Sequence, residues 1–157
     1  MSETSVFTES PYLFNTYRRQ PVTFVRGKGP WRWDDHKKRY LDFFSGLAVC
    51  NLGHANRDVA RAVSHQVRTL LHTSNLFSTL PQRELAKELS TRTFGGKVFF
   101  TNSGAEANEG ALKLARRFGT IHPGPDGPRH EIIVFEAAFH GRTFGALSAT
   151  PQKKYQE

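Results

Sequence analysis

The sequence predicts an α/β fold, and three consecutive segments in its second half carry that prediction. Residues 97–101 form a short apolar run, residues 103 to about 118 have the spacing of an amphipathic helix, and residues 132–135 form a second apolar run. Apolar runs without alternating polar residues are typical of strands that are covered on both faces. A strand, a helix and a strand in this order predict a βαβ unit and the beginning of a parallel sheet.

The first part of the chain predicts an extended arm and a small antiparallel sheet. Residues 1–20 are polar and aromatic, with prolines as breaks, and we expect an extended arm there. Residues 22–26 predict a short strand. Residues 31–33 and 39–43 flank a polar turn, and this pattern predicts a β-hairpin.

Three helices follow in the sequence-based prediction. The first is capped by Asn56, the second begins near Pro81, and the third begins at Ser103. Apolar residues at helical spacing predict the buried faces of all three helices. These residues are Val59, Val63, Val67 and Leu70 in the first, Leu85 and Leu89 in the second, and Ala111, Leu114, Ala115 and Phe118 in the third.

Composition excludes several classes of protein. The 157 residues are 38% hydrophobic and 23% charged, which is typical of a globular chain rather than a disordered one. No apolar stretch is long enough to cross a membrane, and residues 1–5 do not resemble a secretory signal. The single cysteine, Cys50, excludes an internal disulfide, so we expect a cytoplasmic protein.

The net charge of +8 leaves a basic, non-enzymatic binding module open as an alternative. The early basic residues are dispersed among aromatic residues, glycine and proline, which favours a solvated surface and no nucleic-acid partner. A metal site is not expected either. His65 and His72 lie on one helix, and no cysteine or carboxylate stands near them at ligand spacing.

The segment 101–109 joins the first apolar run directly to a helix and predicts an anion site. Ser103 and Glu106 have the spacing of a capping box, so Gly104 and Ala105 fall in the first helical turn. Their backbone N–H groups are accessible to an anion, with phosphate the favoured ligand. A plain helix cap explains the same residues equally well. The spacing matches neither a dinucleotide motif nor a nucleoside-triphosphate motif.

The second loop, residues 137–143, follows the second apolar run and is expected to face the same crevice. Phe139 has the shape to lie against a planar ring, and Gly141 permits close approach of the backbone. Arg142 is suited to bind a carboxylate through two parallel hydrogen bonds. Together the two loops predict a site for a phosphate on a flat ring and for a carboxylate.

Four longer motifs stand out in the chain: RGKGPWRWDDHKKRYLDFFSGLAVCNLGH and HTSNLFSTLPQRELAKEL in the first part, and FFTNSGAEANEGALKLAR followed by FHGRTFGALSAT in the second. These motifs resemble the class III pyridoxal-phosphate-dependent aminotransferases, with the acetylornithine/ornithine aminotransferase group closest. They occur in the family's order and extend from about Thr16 to Pro151.

The resemblance implies a fold-type-I transferase that works as a homodimer with active sites at the subunit interface. Residues 1–75 would be the amino-terminal arm, hairpin and first helix, and residues 76–157 the start of the large cofactor-binding α/β domain. The implied cofactor is pyridoxal 5′-phosphate. The implied reaction moves the terminal amino group of an acetylornithine- or ornithine-like donor to the 2-oxo acid 2-oxoglutarate, a step of arginine biosynthesis.

The resemblance also assigns roles to individual residues. The amides of Gly104 and Ala105 would hold the cofactor phosphate, with Ser103 beside them. Phe139 would stack on the pyridine ring with His140 next to it, and Arg142 would bind the substrate carboxylate. The chain departs from the family pattern at three places: Ala105 replaces a common threonine, Trp31 lies roughly where ornithine-type enzymes place a tyrosine, and residues 53–57 lack the usual proline after Gly-His.

In this family the lysine that forms the Schiff base and the acid that pairs with the pyridine nitrogen lie beyond the second loop. We therefore expect a fragment of a longer enzyme that has no catalytic residue of its own and does not transaminate alone. The alternatives within the family are a γ-aminobutyrate-type or other class III ω-aminotransferase, or an aminomutase. Salt-dependent retention on DNA would instead favour the basic binding module.

Overall fold

The computed structural model describes residues 10–155, and the chain divides into two compact units, Met1–Phe77 and Ser78–Glu157. Residues 1–9, which belong to the expected extended arm, lie outside the described part of the chain. The remainder of that arm, residues 10–20, contains turns and no strand. Each unit has its own secondary structure and is described by itself.

The first unit contains a three-stranded antiparallel sheet in the order β1-β2-β3. Its strands are β1 (Phe24–Lys28), β2 (Trp31–Asp34) and β3 (Arg39–Leu41). The predicted hairpin is therefore confirmed as the β2–β3 pair, while the first strand begins two residues later than the pattern indicates. Arginine side chains cover the two tryptophans of β2, with Arg26 4.8 Å from the ring centre of Trp33 and Arg39 4.2 Å from that of Trp31. These cation–π contacts stabilise the pairing of the strands.

Asp42, directly after β3, is the electrostatic centre of the first unit. Its side chain is 2% exposed and accepts hydrogen bonds from His54 Nε2 at 2.6 Å and from the Ser45 and Phe44 amides at 2.9 Å. Arg32 Nη2 lies 3.1 Å from Oδ1, the carboxylate oxygen that also accepts from the two amides, while His54 bonds to Oδ2. The hydrogen bond from His54, followed by that from the Ser45 amide, lowers the pKa of Asp42 to about 2.

The Asp42 carboxylate holds an unusual turn in place. The segment α1 (Ser45–Ala48) is a single turn with left-handed backbone angles, with φ between 49° and 64° at all four residues. This conformation costs about 1–2 kcal/mol for each residue that has a Cβ atom. The two amide hydrogen bonds to Asp42 at the start of the turn offset part of that cost.

Stability of the first unit is expected to fall at acid pH because of Asp42. Its pKa in the folded protein, about 2, lies below the ordinary value of 3.8, so the stabilisation is complete above about pH 4 and is lost as the pH falls towards 2. Urea unfolding monitored by circular dichroism between pH 2 and pH 6 measures this loss. The Asp42→Asn variant should be less stable than the wild type at pH 6, and its free energy of unfolding should depend less on pH between pH 4 and pH 2. Parallel curves for the two proteins would contradict the prediction.

Helix α2 (Arg57–Thr69) begins where the sequence predicts it. The Asn56 side-chain oxygen accepts hydrogen bonds from the amides of Asp58 at 3.0 Å and Val59 at 3.1 Å, which confirms Asn56 as the N-cap. The acidic side chain of Asp58 in the first turn complements the helix dipole.

The second unit consists of helices joined by irregular segments. They are α3 (Leu80–Arg92), with Pro81 in its first turn as predicted, α4 (Gly104–Ile121), α5 (Phe144–Ser148) and a 3₁₀ turn (Lys153–Tyr155). Helices α4 and α5 pack together, and Ala146 and Ala149 are the buried apolar residues of the described chain. Among residues 10–155, no helix is long and apolar enough to cross a membrane.

The two strands predicted at 97–101 and 132–135 are wrong for the structure as described. Neither segment is a strand, no backbone hydrogen bond joins them, and Phe99 and Ile133 are 82% and 97% exposed. An extended segment becomes a strand only when another strand pairs with its N–H and C=O groups. Within residues 10–155 the only sheet is β1-β2-β3, so these segments have no partner.

The predicted buried faces of the three helices are also wrong for the described residues. An amphipathic face is buried only when a second element packs on it, because one helix cannot bury its own apolar stripe. The predicted apolar residues of these faces stay exposed: Val59, Val63, Val67 and Leu70 in α2, Leu85 and Leu89 in α3, and Ala111, Leu114, Ala115 and Phe118 in α4.

Candidate functional site

The N-terminus of α4 has the cap that the sequence predicts. Ser103 is extended, and its Oγ accepts a hydrogen bond from the Glu106 amide at 3.1 Å. The reciprocal bond is displaced by one residue, since Glu106 Oε2 accepts from the Asn102 amide at 2.8 Å instead of from Ser103. The Ser103 and Glu106 side chains therefore accept hydrogen bonds from amides on either side of the turn. The amides between them, those of Gly104 and Ala105, stay uncovered.

Those two amides belong to Gly104 and Ala105, the first residues of α4. The first i→i−4 bond of the helix is donated by Ala107 to Ser103, and within residues 10–155 neither Gly104 N–H nor Ala105 N–H has a hydrogen-bond partner. Nothing lies within 4 Å of the place that a Cβ atom on Gly104 would occupy. Two parallel N–H groups at the positive end of an 18-residue helix form a favourable seat for an anion.

The second loop packs directly on this turn through Gly141. A Cβ atom on Gly141 would lie 2.7 Å from the Cβ of Ala105 and 2.9 Å from that of Ala146. Gly141 also has φ of +138°, which L residues with a side chain rarely adopt. Because Gly141 has no side chain, residues 139–142 can lie against the first turn of α4. This agrees with the expectation that the two loops face the same crevice.

His140 is held by its backbone on both sides. Its carbonyl accepts a hydrogen bond from Asn108 Nδ2 at 2.5 Å, and its amide donates to Thr150 Oγ1 at 3.0 Å. Thr150 is fully buried and also donates to the carbonyl of Ala146 at 2.9 Å. The imidazole Nδ1 of His140 is buried and lacks a hydrogen-bond partner within the described chain.

Phe139 and Arg142 lie on the exposed side of the loop. Phe139 is 59% exposed, and the Arg142 guanidinium lies 5.8 Å from its ring centre. Arg142 also lies 5.0 Å from the Tyr155 ring and donates from Nη2 to the Tyr155 hydroxyl at 3.0 Å. The hydrogen bond from Lys154, together with the charge of Arg142, lowers the pKa of Tyr155.

The sequence analysis assigned no role to Glu109, which anchors the second loop from α4. Glu109 Oε1 accepts hydrogen bonds from Thr143 Oγ1 at 2.5 Å, the Gly145 amide at 2.8 Å and the Ala146 amide at 3.2 Å. The bond from Thr143, followed by that from Ala146, lowers the pKa of Glu109 below its usual value. Its partners lie 34 to 37 residues further along the chain, so no local pattern could have identified it.

These residues fit a phosphate carried on a flat ring. Uncovered amides lie at the turn, an exposed aromatic ring and a buried imidazole nitrogen without a partner lie beside it, and a guanidinium follows. The arrangement can bind a dianion through backbone N–H groups and a carboxylate through Arg142. Within residues 10–155, no cluster of three or more His, Cys, Asp or Glu side chains has the arrangement to hold a metal ion.

Comparison with known proteins finds relatives over almost the whole chain. The family model described as "Aminotransferase class-III" matches residues 13–157. The acetylornithine aminotransferase of Caldanaerobacter subterraneus subsp. tengcongensis is 50% identical over 149 residues, which are 95% of this chain and 37% of that protein. The chain thus spans about a third of the length of such relatives.

Solved structures give the same result. An N-acetylornithine aminotransferase from Stenotrophomonas maltophilia K279a matches with a TM-score of 0.72 and 41% identity over 80% of this chain and 34% of its own. A thermostable (S)-enantioselective omega-transaminase from Thermomicrobium roseum matches with a TM-score of 0.78 and 39% identity over 87% of this chain and 31% of its own.

Proposed function

Because this chain belongs to the class III aminotransferases, we propose that the whole protein transfers the terminal amino group of N-acetylornithine or a similar donor to 2-oxoglutarate. The fold is that of fold-type-I enzymes, which depend on pyridoxal 5′-phosphate in this family. The observation that carries the proposal is the packing of Gly141 on Ala105, which joins the anion-binding turn and the Phe139–Arg142 loop in one site.

In the proposed site, backbone groups bind the cofactor and one side chain binds the substrate. The Gly104 and Ala105 amides donate to the phosphate, with the Ser103 hydroxyl beside them. Phe139, which is 59% exposed, would pack on the cofactor ring, with His140 next to it. When bound, the cofactor supplies an electron sink for the bond that breaks at the amino carbon.

Arg142 is the proposed carboxylate-binding residue. A guanidinium presents five N–H donors in a planar fork, and this geometry suits two parallel hydrogen bonds to a carboxylate. Tyr155 accepts from Nη2 and orients the fork, and the guanidinium also lies 5.8 Å from the ring centre of Phe139. The charge and direction of Arg142 thus select substrates that carry a carboxylate.

A second candidate is an ω-transaminase of the same family that accepts other amines, γ-aminobutyrate among them. It is favoured by the likeness to the Thermomicrobium roseum enzyme, an (S)-enantioselective omega-transaminase. We propose in either case a cytoplasmic homodimer. Exposed apolar faces on α2, α3 and α4 support further protein packing on them, and the single cysteine suits a reducing compartment.

Kinetics of the whole protein, loaded with pyridoxal 5′-phosphate, test both candidates. With N-acetylornithine and 2-oxoglutarate we expect glutamate to form, and a preference for γ-aminobutyrate or another amine over N-acetylornithine would favour the second candidate. Arg142→Lys keeps the charge but loses the fork, so KM for 2-oxoglutarate should rise at least about tenfold while cofactor affinity is unchanged.

The control for Arg142 is Arg92→Lys, which alters an exposed ion pair with Glu88 on α3 and should leave both constants unchanged. If Arg142→Lys has the same KM for 2-oxoglutarate as the wild type, Arg142 does not bind the substrate carboxylate. Failure of the wild type to bind the cofactor, seen as no change in its absorption spectrum, would overturn the proposed function itself.

A further inference from the structure

Helix α4 carries both the proposed phosphate seat and the side chains that hold the second loop. The seat is the pair of amides at its first two residues, Gly104 and Ala105. One turn further along, Asn108 donates to the carbonyl of His140, and Glu109 accepts from Thr143 and from the first amides of α5. Residues from one short stretch of helix therefore contact the loop at its middle and at its end.

Glu109 replaces the missing cap of α5. Thr143 is the N-cap residue of that helix, yet its hydroxyl makes no cap bond to the helix and donates to Glu109 instead. The Glu109 carboxylate takes the Gly145 and Ala146 amides that a capping side chain would normally satisfy. A carboxylate at this place also complements the helix dipole.

The fit around this carboxylate is close. A Cβ atom on Gly145 would lie 2.3 Å from Glu109 Oε2, so α5 approaches Glu109 with its backbone. Thr143 directly follows Arg142, and Ala146 packs against Gly141. Displacement of the carboxylate thus moves both ends of the segment that carries the guanidinium.

We propose that Glu109 is a positioning residue, which fixes the direction of Arg142 relative to the phosphate seat through Thr143 and the first turn of α5. The proposal rests on the proposed function, because it assigns Arg142 to the substrate carboxylate. Glu109 itself contacts neither the cofactor phosphate nor the substrate. Its effect appears in substrate recognition and in the order of the loop.

The test compares Glu109→Ala and Glu109→Gln in the whole protein. Glu88→Ala is the control, because it removes a helical glutamate that bonds to Arg92 and not to the second loop. Glutamine keeps an acceptor oxygen for the three donors, loses the charge and has an NH2 group in place of the second oxygen. Glu109→Ala should raise KM for 2-oxoglutarate about tenfold, which is the size expected from losing a charge-assisted bond. The KM of Glu109→Gln should lie much closer to that of the wild type, and Glu88→Ala should leave KM unchanged.

Hydrogen–deuterium exchange without cofactor provides the second readout. Amides in residues 137–147 should exchange at least about tenfold faster in Glu109→Ala, while those of α2 and α3 keep the wild-type rate. If Glu109→Ala does not fold, Glu109→Gln decides, with a smaller rise in both quantities. Unchanged KM and exchange in a folded Glu109→Ala would overturn the proposal, as would unchanged values in Glu109→Gln where Glu109→Ala does not fold, or an equal increase in exchange over the whole chain.

Failure of the proposed function would look different. A wild-type protein that does not bind pyridoxal 5′-phosphate would overturn the aminotransferase assignment, whereas the exchange experiment would still report whether Glu109 orders residues 137–147. A wild type that binds and turns over, with variants indistinguishable from it, would overturn the positioning role alone.

Discussion

Replacement of Gly104 by proline is expected to weaken the binding of pyridoxal 5′-phosphate about 10- to 100-fold and to leave α4 intact. The substitution removes one of the two amide N–H groups proposed to hold the phosphate, and a hydrogen bond to a charged group contributes about 1.5–3 kcal/mol. Absorbance or fluorescence titration of the protein with the cofactor measures the change.

The structure accommodates this proline. Gly104 is the first residue of α4, a position at which helices commonly have proline, and nothing lies within 4 Å of its Cβ position. Ser103, the preceding residue, is already extended with φ −155° and ψ 162°, which is compatible with a following proline. Loss of affinity would therefore reflect the missing donor instead of a distorted helix.

Gly104→Ala is the matched control, because it adds a Cβ atom and keeps the N–H group. Its cofactor affinity should stay within about twofold of the wild type, since the added methyl group meets only open space. Equal affinities for the proline and alanine variants would show that the Gly104 amide does not bind phosphate. Far-UV circular dichroism of both variants verifies that the helix is retained.

The second large effect is expected for Gly141→Ala, which should lower both stability and cofactor affinity. The new Cβ atom would lie 2.7 Å from that of Ala105, at a φ of +138° that alanine adopts only under strain. We expect a loss of more than about 1 kcal/mol in stability, and at least about a tenfold rise in the Kd for pyridoxal 5′-phosphate as the loop moves off the turn.

Gly127→Ala separates the two causes. Gly127 also has a positive φ, +109°, but nothing lies within 4 Å of its Cβ position. It should therefore lose stability through backbone strain and keep the cofactor affinity of the wild type. If Gly141→Ala behaves as Gly127→Ala does in both measurements, the close approach of the loop to Ala105 has no role in cofactor binding.

Local signals in the sequence were sufficient for the caps and the hairpin. Asn56 and Ser103 were predicted as N-caps because a short acceptor side chain before a helical pattern satisfies the first amides, and this interaction spans only three residues. The β2–β3 hairpin is equally local, with one polar turn between its strands. The resemblance to class III aminotransferases, carried by whole motifs, is confirmed by the family match over residues 13–157.

Signals that depend on distant partners gave wrong or missing predictions. The apolar runs 97–101 and 132–135 were predicted as buried strands, but a strand and its burial both require a neighbour that the run itself cannot supply. The same reason left the apolar face of α4 exposed. The sequence analysis assigned no role to Glu109, because that role depends on donors that lie more than 30 residues away along the chain.

The family, the helix starts and the residue types of the two loops could thus be predicted from the amino-acid pattern, because they depend on motifs and on neighbours a few positions apart. Which of those residues meet depends on the folded chain, which places Gly141 against Ala105, Glu109 at the start of α5 and Tyr155 beside Arg142. Hydrogen bonds and close contacts act over a few ångströms of space, whatever the separation along the chain, so a local pattern cannot predict such pairs.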